Sequence, residues 1–512
     1  MSWKPYLAVT LLTLLVLVIL AGFQASPGYM DAEYYYSMGL RIAKGKGLGE
    51  PFVWNYLTPV EAIPHPGFTY WMPVPAFISA VGLWITGWET FLGARWVHVL
   101  IAAFIPAIAM RIAWGLTSKN STAVLAGALA VFPAFYSVFL GTTDSFGIIM
   151  LLGGIFFLVC KTDRGREKFI GLGAICGLMH LTRADGLIWL AAAGYGALLS
   201  NRKRYLNLLD VVVGYLIIMA PWFARNTVIF GSLMPSGTSR AFWLQEYNDL
   251  FTYYPQTLTF ENWVSQGWTA IFEKIKTAGL ANIKNALLVQ GQVILTPFML
   301  IGAWKHRQDR AVQGVFLAWL GVFLLMSIVF PFAGLRGGFT HSGAAFQPLL
   351  WALAGCGFYT IIGWGVKRRN WIQCKAGVIF GSALVMLVAI ASIFIYHNRV
   401  IGEDFRQPIW ENAYQDASGI GVALEELGSS ADELIMINNP PGFYAATGRS
   451  AIVIPNGGVE DLLAAGSDFG AKILVLERNH PQNLTALYNA PGEEDRLEYL
   501  GKWNHVAYFR LP

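Results

Sequence analysis

Charged residues are scarce in this sequence. They make up 13% of its 512 residues, whereas a soluble globular domain carries about 25%. Hydrophobic residues account for 55% of the chain, and the mean hydropathy is +0.48. This shortage of charge excludes an ordinary soluble domain and indicates a protein with many membrane-spanning helices.

Cysteine is rare as well. The four cysteines lie in or beside apolar stretches, and none lies in the polar C-terminal part of the chain. No disulfide framework is therefore expected. A glycine-rich phosphate-binding fingerprint is also missing from the C-terminal part, and no nucleic-acid partner is expected.

Ionisable residues are almost absent from the apolar stretches themselves. The main exceptions are Arg95, His98, His180 and Asp210, most of them near a predicted helix end. Transporters and proton pumps generally need charged groups along a path through the bilayer. The pattern therefore favours chemistry at the membrane surface, with a polytopic transporter or lipid flippase as the alternative.

Apolar stretches of membrane-spanning length predict about eleven transmembrane helices. The first, Tyr6–Ala25, is longer than a typical signal-peptide core, and we expect it to be retained. The others are predicted near Phe91–Ala113, Thr122–Leu140, Phe146–Cys160, Phe169–Leu181, Gly186–Ser200, Tyr205–Phe223, Asn285–Trp304, Ala311–Phe332, Gly343–Val366 and Ala376–Tyr396.

Basic residues orient these helices, because lysine and arginine concentrate in cytoplasmic loops. The segment Tyr70–Gly87 is apolar enough to span, but an interfacial position for it places five basic clusters on one side of the membrane. We therefore predict that Tyr70–Gly87 lies along the outer interface. The clusters are Arg111/Lys119, Lys161/Arg164/Arg166/Lys168, Arg202/Lys203/Arg204, Lys305/Arg307/Arg310 and Lys367/Arg368/Arg369/Lys375.

The chain changes character after His397. Residues 1–397 form the apolar helical region, whereas residues 398–512 contain the short β-rich runs LIMINN, SAIVIP, KILVLE and VAYFRL between helical segments. This alternation predicts a small soluble α/β domain. The predicted topology places that domain outside the cytoplasm, together with the loops Ser26–Thr90, Gly141–Ser145, Thr182–Asp185, Asn226–Lys284 and Ala333–Ser342.

Acidic residues gather at this outer face. The stretch YMDAEYYYSM places Asp31 and Glu33 directly after the first helix, and Asp144 lies in a later outer loop. Sugar transfer from a polyprenyl phosphate needs a carboxylate to take the acceptor's proton. It also needs a metal ion or an arginine to stabilise the departing phosphate. The pattern therefore indicates chemistry on a lipid-borne substrate.

Two longer motifs resemble a known class. GYMDAEYYYSMGLRIAKGKGL and FPAFYSVFLGTTDSFGIIM resemble the acidic outer loops of GT-C class polyprenyl-phosphate-sugar glycosyltransferases, such as protein O-mannosyltransferases and the lipid A aminoarabinose transferase. GLMHLTRADGLIWL and APWFARNTVIFGSLMP are similar to segments that recur in bacterial members. The resemblance covers roughly Met1–Asn398. The sequence has no WWDYG-like motif, which disfavours an N-linked oligosaccharyltransferase.

The resemblance implies a GT-C-like fold and an inverting hexosyl- or pentosyltransferase. Asp31 is the predicted general base or acceptor-positioning carboxylate, Glu33 its assistant, and Asp144 the carboxylate that orients the acceptor or binds a metal. The alternative for each is structural, because acidic residues are favoured at helix caps and in first turns. Thr142 and Thr143 compete with Asp144 for the cap of the next helix.

Further residues are predicted to contact the donor phosphate or the substrate: His65, Arg336, Arg225, His341 and Tyr35. The stretch AKGKGLGE is interpreted as a solvated turn, with a phosphate contact by Lys44 or Lys46 as the alternative. Trp71 is interpreted as part of an interfacial aromatic belt, and Arg183 with Asp185 as a structural ion pair. If a divalent cation such as Mg²⁺ or Mn²⁺ takes part, Asp31 and Asp144 are its predicted ligands, with His65 as a further candidate.

These observations predict a multi-pass cell-membrane glycosyltransferase with extracytoplasmic catalytic loops. Its expected partners are a polyprenyl-phosphate sugar donor, membrane lipids, and an acceptor that is a lipid, a glycan or a protein. A catalytically silent membrane assembly subunit, acting through its C-terminal domain, is a further alternative to the transferase.

Overall fold

Apolar helices dominate the chain as far as His397. The computed structural model describes residues 1–162, 165–200 and 203–512. The predicted polytopic helical membrane protein is confirmed, whereas the number of about eleven spans stays a prediction. Within the described ranges, six helical stretches are long and apolar enough to cross a membrane: Lys4–Ala21, Phe91–Thr117, Arg204–Phe230, Arg310–Val329, Gly338–Arg369 and Gln373–Ile401.

Ten α-helices occupy the described residues up to Phe230. Two members of the predicted basic clusters, Arg164 and Arg202, lie outside the described residues. The helices are α1 Lys4–Ala21, α2 Met30–Ala43, α3 Val74–Thr86, α4 Phe91–Ala103, α5 Ile105–Thr117, α6 Asn120–Val131, α7 Phe146–Cys160, α8 Arg166–Thr182, α9 Trp189–Leu198 and α10 Arg204–Phe230.

Nine further α-helices complete this region. Short ones build the segment after α10, and long ones return at its end. They are α11 Ser236–Arg240, α12 Phe260–Ser265, α13 Trp268–Asn285, α14 Thr296–Lys305, α15 Arg310–Leu324, α16 Pro331–Leu335, α17 Gly338–Gly343, α18 Gln347–Arg369 and α19 Gln373–Tyr396.

The predicted span Asn285–Trp304 is wrong as a continuous helix. Helix α13 ends at Asn285, a π-helical turn follows, and α14 begins only at Thr296. The intervening residues Gln292 and Val293 have positive φ angles of 48° and 55°, which no α-helix accommodates. Hydropathy averages over such a break, because the residues on either side of it are apolar.

The predicted interfacial segment contains α3, which has 13 residues. At 1.5 Å per residue this helix is about 20 Å long, short of the ~30 Å hydrocarbon core. Pro73 precedes it and Gly87 ends it in the left-handed conformation, with a φ of 69°. A glycine tolerates that conformation without strain, so the chain turns sharply into α4.

Neighbouring helices approach closely where glycines face them. A methyl group at Gly173 of α8 would overlap the Val211 carbonyl of α10, and one at Gly214 of α10 would overlap the Ile170 carbonyl of α8. Such reciprocal glycines bring two helix backbones into contact, as in membrane helix pairs generally. This contact packs the first half of α8 against α10.

The C-terminal end of α1 is bound to the bundle by side chains of other helices. The Arg95 guanidinium donates to the carbonyls of Ala21 and Gln24, and the Tyr396 hydroxyl donates to the Leu20 carbonyl at 2.6 Å. These donors add side-chain hydrogen bonds to the carbonyls at the end of α1. They therefore fix the point at which the chain leaves α1 for α2.

The predicted C-terminal α/β domain is confirmed. Before it, a two-stranded ribbon pairs β1 Gly49–Glu50 with β2 His65–Pro66. The domain contains α20 Asn412–Glu426, α21 Pro440–Thr447, α22 Val459–Phe469 and α23 Thr485–Asn489, and the strands β3 Ile435–Ile437, β4 Ala451–Val453, β5 Ile473–Leu476, β6 Glu498–Trp503 and β7 Val506–Arg510.

The five strands form one mixed sheet in the order β4-β3-β5-β7-β6. Strands β4, β3 and β5 are parallel, and β7 and β6 are antiparallel to their neighbours. The four predicted strands are present. Strand β6 was not predicted, because it is a half-exposed edge strand that carries the charged residues Glu498 and Lys502.

The first long loop extends this sheet beyond β4. Val53 donates to the Ala451 carbonyl at 2.9 Å and accepts from the Val453 amide at 2.8 Å, as a parallel strand would. The Tyr56 hydroxyl donates to the Val453 carbonyl, and the side chains of Val53 and Tyr56 lie in the apolar core of the domain. The domain boundary at residue 397 stays a prediction. The edge of the sheet includes Val53, which lies on the N-terminal side of this boundary.

Candidate active site

Two carboxylates come together at the start of α2. Asp31 is in the first turn of α2, and Asp144 lies in the loop that precedes α7. The Thr143 hydroxyl donates to the Ala32 carbonyl at 2.7 Å and so joins this loop to α2. Tyr29, the residue that precedes α2, donates its hydroxyl to Asp144 Oδ2 at 2.6 Å. The negative charge of Asp144 contributes to a raised pKa of Asp31.

Asp144 is buried and held by three donors. The Tyr29 hydroxyl donates to Oδ2 at 2.6 Å, and both the hydroxyl and the backbone amide of Ser145 donate to Oδ1, the hydroxyl at 2.9 Å. His341 Nδ1 lies 4.0 Å from Oδ2. The residue that precedes α7 is Ser145, which leaves Asp144 outside the cap position proposed as its alternative.

Asp31 occupies the second position of α2, whose cap residue is Tyr29. The cap alternative therefore does not describe Asp31. Its side chain is partly exposed. Burial of the carboxyl group, followed by the charge of Asp144, raises the pKa of Asp31 to about 7, although the charge of Arg183 opposes this shift. A carboxyl group with such a pKa can accept a proton near neutral pH.

Arg183 brings a positive charge to the two carboxylates. The predicted ion pair with Asp185 is present, with Nε 3.2 Å from Oδ1, and the Ser342 hydroxyl donates to Oδ2 of Asp185. The charge of Arg183 also acts on Asp31 and Asp144. The sequence interpretation of Arg183 as a structural ion pair did not predict its place near the carboxylates. Its position in a predicted outer turn could have suggested that place.

Tyrosines line the same region. Tyr35 is buried and packs edge-to-face on Tyr34, with ring centroids 5.6 Å apart. Burial, followed by the charges of Asp144 and Asp31, raises the pKa of Tyr35. Tyr35 therefore lies near Asp31 and Asp144. Its contact with the substrate stays a prediction. Burial raises the pKa of Tyr70 and Tyr247, and the charge of Asp31 adds to both shifts. Tyr70 belongs to the aromatic stretch PHPGFTYWMP, a candidate for sugar stacking from the sequence, whereas Tyr247 was not predicted.

Arg336 and His341 reach this region from the segment that precedes α18. The exposed Arg336 guanidinium lies 4.1 Å from the centroid of the Tyr247 ring, a cation–π distance. His341 stacks on Phe146 with ring centroids 4.1 Å apart, next to Asp144. His341 therefore lies beside Asp144, 4.0 Å from Oδ2, whereas Arg336 contacts Tyr247. The predicted donor contact of both residues stays a prediction.

Glu33 points away from the carboxylate pair. Residues two apart in an α-helix are separated by about 200° around its axis, so Asp31 and Glu33 face opposite sides of α2. Glu33 is buried against the C-terminal domain, where its Oε2 accepts from Asn439 Nδ2 at 2.8 Å. Burial raises the pKa of Glu33 to about 7, and the Asn439 hydrogen bond opposes the shift. The predicted catalytic assistance has no geometric support.

His65 and Arg225 belong to a separate buried cluster. His65 Nε2 lies 2.9 Å from the Phe52 carbonyl and 3.4 Å from Oε2 of Glu50, and Glu50 also accepts from the Tyr34 hydroxyl. Arg225 donates to the Gly67 carbonyl at 2.8 Å. His65 and Arg225, both predicted to contact the donor, instead bind backbone carbonyls of the first loop.

The remaining candidates lie elsewhere. Lys44 pairs with Glu89 at 2.8 Å, and Lys46 is exposed in the turn after α2. Trp71 stacks on Trp54 with ring centroids 4.0 Å apart and an interplanar angle of 15°. This stacking places Trp71 inside an aromatic cluster of the first loop.

A metal would have few protein ligands here. Among the residues that the structure describes, no group of three or more histidine, cysteine, aspartate or glutamate side chains could hold a metal ion. Asp31 and Asp144 offer two carboxylates, and Mg²⁺ is often bound by one or two carboxylates with waters and substrate phosphates. The donor set therefore fits a cation that the substrate helps to bind.

Solved structures share this architecture. ArnT from Cupriavidus metallidurans bound to undecaprenyl phosphate is 12% identical, with a TM-score of 0.56 over 100% of this chain and 98% of that chain. The archaeal oligosaccharyltransferase AglB from Archaeoglobus fulgidus, in complex with an inhibitory peptide and a dolichol-phosphate, is 13% identical. Its TM-score is 0.55 over 93% and 70% of the two chains. The A. fulgidus oligosaccharyltransferase with Zn and sulfate is 13% identical, with a TM-score of 0.56 over 90% and 67%.

The chain therefore has the GT-C fold, and the predicted resemblance to that class of membrane glycosyltransferases is confirmed. The family described as dolichyl-phosphate-mannose-protein mannosyltransferase matches residues 65–224. This match runs from β2 into α10 and contains Asp144 and Arg183. The comparison with curated proteins gives no match.

Proposed function

We propose that this protein transfers a sugar from a polyprenyl-phosphate donor to an acceptor at the extracytoplasmic face of the membrane. The observation that carries the proposal is the pairing of Asp31 and Asp144 beside Arg183, on a GT-C fold. The match to a dolichyl-phosphate-mannose family supports a sugar donor linked to an isoprenoid phosphate. The neighbours bound to undecaprenyl phosphate and dolichol-phosphate support the same class of lipid.

Asp31 is the proposed general base. The acceptor's hydroxyl or amine attacks the anomeric carbon of the sugar while its proton passes to the Asp31 carboxylate. The bond between that carbon and the phosphate oxygen breaks, and its electron pair leaves with the polyprenyl phosphate. Direct attack opposite the phosphate inverts the configuration of the sugar. The raised pKa of Asp31, about 7, suits a base that works near neutral pH.

Cationic groups would stabilise the departing phosphate. Arg183 lies beside both carboxylates, and Arg336 is exposed over Tyr247 in the same region. A planar guanidinium can donate two parallel hydrogen bonds to a phosphate. A divalent cation held by Asp31 and Asp144, if the enzyme uses one, would supply additional positive charge for the leaving phosphate.

We propose Asp144 as the second carboxylate of the same site. The Tyr29 hydroxyl and Ser145 fix its orientation, so its position is set before substrate binds. Such preorganisation avoids rearrangement during the reaction. Its negative charge near Asp31 also keeps Asp31 basic enough to take a proton at neutral pH.

The first experiment compares wild-type protein with Asp31→Asn in liposomes. A panel of polyprenyl-phosphate sugars is supplied with lipid, glycan and peptide acceptors, with and without a chelator, and release of polyprenyl phosphate is measured. We expect Asp31→Asn to lower release by about 10²–10⁴-fold, the usual contribution of a general base. The matched control is Asp416→Asn, the same change at an exposed aspartate of α20.

Equal release by wild type and Asp31→Asn would contradict the assignment of Asp31. Release by neither protein with any donor would contradict the proposed transfer and favour a silent subunit. Loss of release only when the chelator is present would show that the transfer needs a divalent cation.

A further inference from the structure

Glu33 joins α2 to the C-terminal domain. Its side chain is 1% exposed and accepts from Asn439 Nδ2 at 2.8 Å. Asn439 also caps α21, because its Oδ1 accepts from the Gly442 amide at 3.2 Å. A single asparagine therefore orders the start of α21 with its carbonyl oxygen and holds α2 with its amide group.

The same domain also contacts the chain just before α2. The Trp410 indole donates to the Ser26 carbonyl at 3.0 Å, and Oε1 of Glu411 accepts from the Ala25 amide at 2.6 Å. The Trp410 ring packs edge-to-face on Tyr29, with ring centroids 5.7 Å apart. Tyr29 in turn donates to Asp144. The C-terminal region therefore contacts the N-terminal approach to α2 as well as its first turn.

We infer that Asn439 is a positioning residue: through its hydrogen bond to Glu33 it fixes the rotation of α2 about its axis and so holds Asp31 towards Asp144. The inference rests on the proposed function. Helical side chains lie about 5–6 Å from the axis, so a rotation of 20° moves Asp31 by about 2 Å. A displacement of 1 Å at a reacting group can lower the rate about 100-fold.

The test exchanges the two polar groups. Asn439→Asp keeps a good cap for α21 but places a second carboxylate against Glu33 and removes the hydrogen-bond donor. We expect kcat to fall about 10- to 100-fold, with KM for the donor changed less than threefold. The double variant Glu33→Gln/Asn439→Asp restores a donor and an acceptor in reversed order, and we expect it to recover most of the lost kcat.

The control is Asn483→Asp, the same substitution at an exposed position of the C-terminal domain. Recovery in the double variant would also show that the carboxylate of Glu33 is not itself required for proton transfer. If Asn439→Asp lowers the Tm while kcat and KM stay at the wild-type values, Asn439 is structural and the inference is wrong. An inactive double variant would also overturn it.

Hydrogen–deuterium exchange separates this inference from the proposed function. In Asn439→Asp, amides of residues 30–43 should exchange faster, while those of α10 stay unchanged. This readout needs no substrate, so it holds even if wild-type protein releases no polyprenyl phosphate and the proposed function fails. Unchanged exchange in α2 would overturn the inference in either case.

Discussion

Asp31 and Glu33 lie two residues apart on α2, yet they belong to different regions of the molecule. Asp31 faces Asp144 and Arg183, whereas Glu33 is buried against Asn439 of the C-terminal domain. The two residues carry the same functional group. Their positions around the helix separate them, so helix geometry rather than residue type decides which one lies in the candidate site.

Both carboxyl groups have a pKa raised to about 7, mainly by burial. For Asp31 the charge of Asp144 adds to the shift, whereas for Glu33 the hydrogen bond from Asn439 opposes it. The pKa values of Asp31 and Glu33 are therefore similar, but the contributions that follow burial differ. A change at Asp144 should alter the behaviour of Asp31, and a change around Asn439 should alter the environment of Glu33.

Among changes to the neighbours of Asp31 and Glu33, the largest expected effect comes from Asp144→Asn. The amide keeps the shape of the side chain but removes the charge beside Asp31 and one acceptor of the Tyr29 hydroxyl. We expect the rate of sugar transfer to fall by about 100- to 1000-fold, the range found when one preorganised polar group is lost from a catalytic site. The measurement is polyprenyl phosphate release in liposomes, with Asp416→Asn as control. A rate within threefold of wild type would remove Asp144 from the site.

The pH profile should show the next largest effect. A base must be ionised, so activity should rise with pH through about 7 and fall about tenfold per unit below it. Removing the neighbouring negative charge in Asp144→Asn favours ionised Asp31 and lowers its pKa. The acidic limb of kcat/KM should therefore move to lower pH in this variant. A limb that stays in place, or that moves to higher pH, would contradict the assignment of Asp31 as the base.

The smallest expected effect concerns Gly442, which faces Glu33. A methyl group at Gly442 would lie 2.7 Å from Oε2 of Glu33 and would also overlap the Asn439 side chain. Since this overlap forces the interface apart, we expect Gly442→Ala to lower the free energy of unfolding by about 1–3 kcal/mol. Thermal unfolding in detergent measures it.

The matched control is Gly419→Ala in α20, where no atom lies within 4 Å of the added methyl group. Alanine is favoured over glycine inside a helix, so this change should stabilise the protein by up to about 1 kcal/mol. A Gly442→Ala variant as stable as the Gly419→Ala control would show that the Glu33 interface tolerates a wider spacing.

Much of this architecture can be predicted from the sequence. Apolar stretches identify the membrane helices, and alternating β-rich runs identify the C-terminal domain. A topology based on basic residues alone places Asp31 and Asp144 on the same side of the membrane, but it does not predict that they come together. The opposite direction of Glu33 could also have been predicted once α2 is known to begin at Met30, because helical periodicity then fixes which residues share a face.

Other features depend on contacts that no local pattern records. His65 and Arg225 are residue types that bind phosphate, but the structure places them against carbonyls of Phe52 and Gly67. Arg183 looks like one half of an ion pair in the sequence. Its predicted outer turn places it on the same side of the membrane as the carboxylates, and the packing of α8 brings it beside them. The break between Asn285 and Thr296 is hidden by apolar residues on both sides.

The strand contact made by Val53 has a consequence for biosynthesis. Tyr56, beside Val53, binds Val453, a residue 397 positions later in the chain. At 5–20 residues per second, a ribosome needs about 20–80 s to cover that distance. During this interval the first loop has no strand β4 to pair with. The helices that flank Asp144 and Arg183 are meanwhile inserted into the membrane. The last part of the chain to be translated thus supplies the strand that pairs with the first loop, so a truncated product would carry Asp31 and Asp144 with this loop unpaired.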